Sequence, residues 1–169
     1  MLEVHQRLLS LYSALIVAEQ LTYERIHGRV GSTDELLQLV LNDPWFIWLC
    51  PLLDLLLRIE QLLDDDAFDI THEDVEHLVA EVRTLTRPSI EGDGFERAYY
   101  EALQRAPDVV LAHFQVKRLL LEEAAKLHPA QATRPLACLL FSHAGCSKSS
   151  TSSSVVREAI LESVDLTIC

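Results

Sequence analysis

Glycine and proline are scarce in this 169-residue chain, which contains only 5 glycines and 6 prolines. A β-sandwich or β-barrel needs turn residues roughly every 8–12 positions, so this composition argues against both. Apolar residues make up 49% of the chain, which is enough for a dense core. We therefore predict an all-α fold in which short loops join the helices.

Basic residues are also few, with 14 lysines and arginines against 26 acidic residues and a net charge of −12. The imbalance lies entirely in residues 1–128, which carry 11 basic and 23 acidic side chains, whereas residues 129–169 carry three of each. An acidic surface repels phosphate backbones and anionic lipids. We therefore expect no nucleic-acid or membrane partner. The expected partner is another protein or a second copy of this chain.

The chain lacks a recognisable secretory leader, because residues 1–27 carry charges throughout and contain no short apolar core. Its four cysteines form no Cys-x-x-Cys pair and show no zinc spacing. The longest apolar stretch, residues 45–57, is interrupted by Pro51 and Asp54 and is shorter than the ~20 residues that a membrane span needs. These absences predict a cytoplasmic protein with reduced thiols and no cofactor.

Residues 44–65 form the most informative segment, PWFIWLCPLLDLLLRIEQLLDD. Wound as a helix, its polar side chains fall on one narrow strip formed by Asp54, Arg58, Gln61 and Asp65. Because the rest of this helix is apolar, it needs to pack against neighbouring helices on three sides. We therefore predict a bundle of five to six main helices around 44–65, with Pro51 bending or dividing that helix near Cys50.

Local signals place the other helix ends. Gly28 ends the first helix, Ser32 and Thr71 begin the second and fourth, and Pro107 opens the sixth. We assign residues 1–128 to one helical domain. We predict that residues 129–169 form a C-terminal extension, with a serine-rich linker at 147–154 and a short helix over 155–166.

Two polar residues are predicted to lie among apolar neighbours. Glu19 lies on the inward row of the first helix, and His113 falls on the apolar face of the sixth. A buried carboxylate needs a donor, and an inward imidazole is one candidate. A Glu19–His113 pair could be a general acid and base, two ligands of a divalent metal in the bundle interior, or a hydrogen bond that fixes helix register. The remaining interpretation is that both residues lie at the edge of the core without pairing.

Three large aromatic residues, Trp45, Phe46 and Trp48, open the central segment. Rigid aromatic side chains anchor many interfaces, so they mark a partner-binding surface if the other helices leave them uncovered. Otherwise they belong to the core. The sequence favours a non-catalytic interaction or regulatory protein, and the alternative is a bundle metalloprotein or acid–base enzyme with an interior site at Glu19 and His113.

Several short stretches between residues 8 and 120 form a recognisable pattern: ELLQLV from Glu35, NDPW from Asn42, the Trp48-Leu49 and Pro51-Leu52 dipeptides, YYEALQ from Tyr99 and PDVVLAH from Pro107. With these stretches the chain resembles a group of small uncharacterised bacterial all-helical proteins. The resemblance implies an all-helical fold and brings no activity or cofactor with it. The extension after His128 is where this chain departs from the group.

Overall fold

The computed structural model describes residues 2–64, 71–92 and 94–127. Within these ranges the chain forms six α-helices and one 3₁₀ turn, with no β-strand. The elements in chain order are α1 (Leu2–His27), α2 (Thr33–Asn42), the 3₁₀ turn (Ile47–Leu49), α3 (Cys50–Asp64), α4 (His72–Leu85), α5 (Phe95–Arg105) and α6 (Pro107–Leu127). The prediction of an all-α bundle is confirmed. The predicted extension, residues 129–169, lies outside the described residues.

The helix ends follow from local chemistry. α1 ends before Gly28, whose φ of 94° is a conformation that side chains with a Cβ rarely adopt. The Ser32 hydroxyl accepts a hydrogen bond from the Glu35 amide at the start of α2. At α4, Thr71 and Asp74 exchange side-chain and backbone hydrogen bonds, which satisfies two amides that the helix itself leaves open.

The central segment is divided rather than continuous. A turn and the 3₁₀ turn come first, and α3 then begins at Cys50 with Pro51 in its first turn, where a missing N–H costs no hydrogen bond. The apolar side of α3 is buried as expected, with Leu52, Leu53, Leu55, Leu56 and Ile59 in the core. Arg58 and Gln61 on the predicted polar strip are exposed, and Asp65 lies outside the described residues.

The centre of the bundle is shared between helices. α3 packs against α1 and α4, whereas α1 contacts α3, α5 and α6. α1 has 26 residues and α3 only 15, because the segment is divided at Cys50. α1 therefore extends past more neighbours than α3. α6 also contacts three helices, namely α1, α4 and α5, so α1 and α6 have the most helical neighbours, and the predicted central helix α3 packs against two.

α6 runs antiparallel to α1. Near the start of α1, the Arg7 guanidinium donates to the Gln115 amide oxygen at 3.1 Å, and near its end α1 contacts the last residue of α5, just before α6 begins. The inner side of α6 packs against α1, α4 and α5. No helix within the described ranges is long and apolar enough to cross a bilayer.

Candidate functional site

Glu19 lies inside the bundle, as predicted, with only 4% of its surface exposed. Its Oε1 accepts a hydrogen bond from Arg105 Nη2 at 2.6 Å, and its Oε2 accepts one from the Trp45 indole Nε1 at 3.0 Å. The carboxylate is thus neutralised by a guanidinium and accepts a hydrogen bond on each oxygen. These contacts offset most of the desolvation free energy of a buried charge.

Three parts of the chain position this cluster. Glu19 comes from α1, and Arg105 is the last residue of α5 and also donates to the Thr22 hydroxyl at 3.2 Å. Trp45 follows α2 in a turn in which its amide donates to Asp43 Oδ1 at 2.8 Å. The Glu19 cluster (Glu19, Trp45 and Arg105) therefore ties α1 to α5 and to the turn that precedes α3.

Aromatic rings cover this cluster on one side. The Trp45 ring meets Tyr23 edge-on with centroids 5.9 Å apart, and Tyr23 stacks on His27 at 4.4 Å. Phe46 contacts Tyr23 and is completely buried, so it belongs to the core and offers no surface to a partner. Trp45 and Trp48 are half-buried and pack against the core. A partner-binding role for these two stays a prediction.

His113 has a different partner from Glu19. Its Nδ1 lies 2.6 Å from the hydroxyl of Tyr99, on α5. Burial raises the pKa of Tyr99, so the phenol keeps its proton. Burial, and to a smaller extent the charge of Lys117, lower the pKa of His113 and favour the neutral imidazole. We infer that the Tyr99 hydroxyl donates a hydrogen bond to Nδ1 of a neutral ring.

The expected Glu19–His113 pair is therefore not formed among the described residues. Each of the two side chains is held by another group, and the two contacts lie on different sets of helices. The described residues contain no group of three or more histidine, cysteine, aspartate or glutamate side chains arranged to hold a metal ion. What the geometry shows at both positions is a polar contact that joins helices.

Sequence reasoning found the inward residues but missed their partners. Arg105 lies in the last turn of α5, where a basic residue is common because it suits the negative end of the helix dipole. Trp45 was interpreted only as an apolar side chain, although a half-buried indole N–H usually finds an acceptor. That rule predicts a hydrogen-bond acceptor near Trp45. No such rule predicts the Arg105 contact, because it depends on how α1 and α5 pack.

A second feature lies on the side of α6 that faces away from α1, α4 and α5. Four large apolar side chains there are solvent-exposed, and we call them the outer seam: Val110, Leu111, Phe114 and Leu121. They fall within an arc of about 100° on the helix. Phe114 is 61% exposed and Leu121 is 70% exposed. Arg118, in an exposed ion pair with Glu122, lies in the same arc between Phe114 and Leu121. Single exposed apolar residues are common, but a group of four on one side of a helix is typical of a binding surface.

Lys117 lies at the border of the outer seam and is half-buried. Burial, Arg83 and Arg87 lower the pKa of its ammonium group, in that order of size. Within residues 2–64, 71–92 and 94–127, the structure gives the Lys117 ammonium no hydrogen bond and no ion pair. The outer seam is thus bordered by a local excess of positive charge, although the chain as a whole is strongly acidic.

Comparison with protein families, with curated proteins and with solved structures finds no match to this chain. The resemblance to small bacterial helical proteins therefore stays a prediction. Function has to be argued from the two features above, the Glu19 cluster and the outer seam.

Proposed function

We propose that this protein is a non-catalytic interaction protein that binds an amphipathic helix of a partner protein on the outer seam of α6. The single observation that carries the proposal is the group of four exposed apolar side chains on one face of an otherwise well-packed helix. A cytoplasmic location, expected from the sequence, belongs to the same proposal.

The spacing along α6 favours a helix as the ligand. Val110, Phe114, Lys117 and Leu121 follow one another at intervals of four, three and four residues. This is the spacing at which two α-helices pack side by side along a common seam. A bound helix would bury apolar side chains against Val110, Phe114 and Leu121.

Lys117 determines which charge the partner helix must carry. An ammonium group that becomes more buried without a counter-ion is costly, and its neighbours Arg83 and Arg87 increase that cost. The fitting partner helix therefore carries a carboxylate at the position opposite Lys117. A basic helix of the same apolar pattern would be rejected by like-charge repulsion.

The alternative function, a bundle metalloprotein or acid–base enzyme built on Glu19 and His113, gains no support from this geometry. Both oxygens of Glu19 receive donors from Arg105 and Trp45, and Nδ1 of His113 is bound to Tyr99. These contacts account for the two inward polar residues as connections between helices.

The test is a photo-crosslinking experiment in cells. A benzophenone amino acid replaces Phe114 in one variant and Ile26 in a matched control, because Ile26 is similarly exposed at 65% but lies on α1. We expect crosslinks from position 114 to converge on a helical segment with apolar residues every three to four positions and a carboxylate among them. Crosslinks from position 26 should not include that segment.

A double variant, Phe114→Asp with Leu121→Asp, checks the same proposal without a label. Binding of the crosslinked partner should fall at least about tenfold, because two buried apolar contacts are each worth more than 1 kcal/mol. The control Ile26→Asp with Ile47→Asp changes two equally exposed side chains outside α6 and should bind normally. Equal binding by both double variants would contradict the proposal.

A further inference from the structure

We propose that the side chains of Arg83, Arg87 and Lys117 form a binding site for a phosphoryl group where the end of α4 lies against α6. This site only borders the outer seam, and the proposed function assigns no ligand to either arginine. Binding of phosphate can be measured on the protein alone, so the proposal can be tested without the partner helix.

One contact fixes Arg83 on α6. Its Nη2 donates to the backbone oxygen of Leu120 at 2.9 Å. Lys117 precedes Leu120 by three residues, so it lies on the same side of α6, about one helical turn away. A guanidinium carries several N–H donors, and this single contact leaves most of those of Arg83 available to a ligand. Arg83 and Lys117 therefore lie at one junction of two helices.

The backbone around Arg87 is held in place. Arg87 follows Arg83 by four residues, and its amide donates to the Thr84 oxygen at 3.2 Å, so the turns of α4 continue to this point. Thr86, directly before it, is completely buried and holds this turn in the bundle. Pro88, directly after it, restricts the backbone of Arg87. The two arginines therefore start from neighbouring turns of a fixed backbone.

The three positive charges lie close enough to repel one another. Burial lowers the pKa of the Lys117 ammonium most, and the charges of Arg83 and Arg87 lower it further. Within the described ranges, neither Lys117 nor Arg87 has a side-chain hydrogen bond or an ion pair. Glu81, the acid nearest to Arg83 along α4, is paired with Arg58. Both arginines are exposed, so an anion from solvent can reach this uncompensated charge.

A phosphoryl group matches this charge better than a carboxylate does. It carries about two negative charges and three acceptor oxygens, whereas a carboxylate carries one charge and leaves more of the three cations uncompensated. Guanidinium groups bind phosphate oxygens through pairs of N–H donors, and an ammonium group adds a point charge. A nucleic acid or an anionic bilayer fits less well, because either would also cover the acidic surface of a chain with net charge −12.

Titration of the full chain with inorganic phosphate tests the site. The titration runs at about pH 8, where phosphate is mostly a dianion, with sodium chloride keeping the ionic strength constant. We expect saturable binding to the wild-type chain by calorimetry. Arg87→Gln with Lys117→Gln should weaken it at least about tenfold, because two charge-assisted hydrogen bonds are lost. Circular dichroism checks that this double variant is folded.

The matched control is Arg97→Gln with Arg118→Gln, which removes two exposed cations that are paired with acids. It changes the net charge by the same amount and should bind phosphate within about twofold of the wild-type chain. Acetate should bind the wild-type chain at least about tenfold more weakly than phosphate. Absence of saturable phosphate binding, or equal binding by the two double variants, would overturn the site. Equal affinity for acetate would overturn its assignment to a phosphoryl group.

Acylation of Lys117 gives a second readout. A bound dianion covers the amine and raises the pKa of Lys117, so phosphate should slow its acylation several-fold compared with chloride at equal ionic strength. Arg87→Gln should remove most of this protection, whereas Arg97→Gln should retain it. Peptide mapping by mass spectrometry assigns the acylated lysine. Equal rates in phosphate and chloride would count against the site.

The phosphoryl group has two possible sources, a small phosphorylated molecule or a phosphorylated serine or threonine of the partner helix. In the second case the phosphoryl group takes the place of the carboxylate opposite Lys117. Mass spectrometry of the segment crosslinked at position 114 distinguishes them: a phosphorylated residue in that segment supports the partner helix as the source, and its absence supports a small molecule.

The two proposals fail separately. If phosphate binds as expected but position 114 captures no helical segment, the phosphoryl site stands and the proposed function is wrong. If position 114 captures such a segment but phosphate does not bind, the proposed function stands and the phosphoryl site is wrong.

Discussion

The two faces of α6 both carry large apolar side chains but have opposite surroundings. The inner face carries Val109, Ala112, Val116, Leu119 and Leu120, all buried against neighbouring helices. The outer seam carries Val110, Leu111, Phe114 and Leu121, all exposed. The outer face also carries the exposed ion pair of Arg118 with Glu122, so it is less apolar than the inner face. The described bundle therefore covers one apolar face of α6 and leaves the large apolar side chains of the other face in contact with solvent.

Adjacent leucines on α6 give the sharpest test of this comparison and the largest expected effect. Leu120 is 2% exposed and Leu121 is 70% exposed. Leu120→Ala leaves a cavity and should lower the free energy of unfolding by about 2–5 kcal/mol. Leu121→Ala should lower it by less than about 1 kcal/mol. Urea unfolding followed by circular dichroism measures both, and similar losses would show that the outer seam is as well packed as the inner face.

The next effect concerns the polar contacts inside the bundle. Glu19→Ala leaves the Trp45 N–H and the Arg105 guanidinium without their acceptor and should cost about 1–3 kcal/mol. The matched control is Glu101→Ala, which removes the exposed ion pair with Arg97 and should cost less than about 0.5 kcal/mol. Thermal unfolding of both variants measures the difference. An equal cost would mean that the Glu19 cluster does not stabilise the bundle.

The smallest expected effect is the pH response of His113 at the edge of the inner face. Its pKa should lie below the ordinary value of 6.5, because burial and Lys117 both disfavour the charged ring. Because folding lowers the pKa of His113, the neutral ring makes its full contribution to stability above pH 6.5. That contribution is lost as the pH falls through the folded-state pKa. A histidine NMR titration checks the direction.

Tyr99→Phe sharpens that measurement. The Tyr99 hydroxyl donates to the neutral ring, so its removal should raise the pKa of His113 toward the ordinary value. Between pH 7 and pH 5, His113→Gln should lose less stability than the wild-type chain. A pKa above 6.5 in the wild-type protein would contradict the assignment of a neutral His113.

The features that were predictable from sequence are those set by neighbours along the chain. The end of α1 at Gly28, the cap at Thr71 and the division near Cys50 each depend on one or two nearby residues. Burial of Glu19 followed from its position on a helical face. Its partners, Arg105 and Trp45, lie 86 and 26 residues away, and no local pattern specifies such contacts.

The outer seam was missed for a related reason. Sequence periodicity indicated the inner face of α6 and assigned no role to its other apolar residues, since composition does not show how many neighbours a helix has. Likewise, Phe46 was a candidate for a partner surface until the fold placed it in the core. Which apolar residues stay uncovered depends on the arrangement of all the helices together.

The turn between α2 and the 3₁₀ turn has a consequence for the acid in the core. In this turn the Trp45 amide donates to Asp43 Oδ1, and the Trp45 ring donates to Glu19. One of the two donors to a buried negative charge therefore lies in a short connection between helices. A substitution at Asp43 that loosens this connection would weaken the hydrogen bonding of Glu19 in the interior without altering the acid or either of its donors.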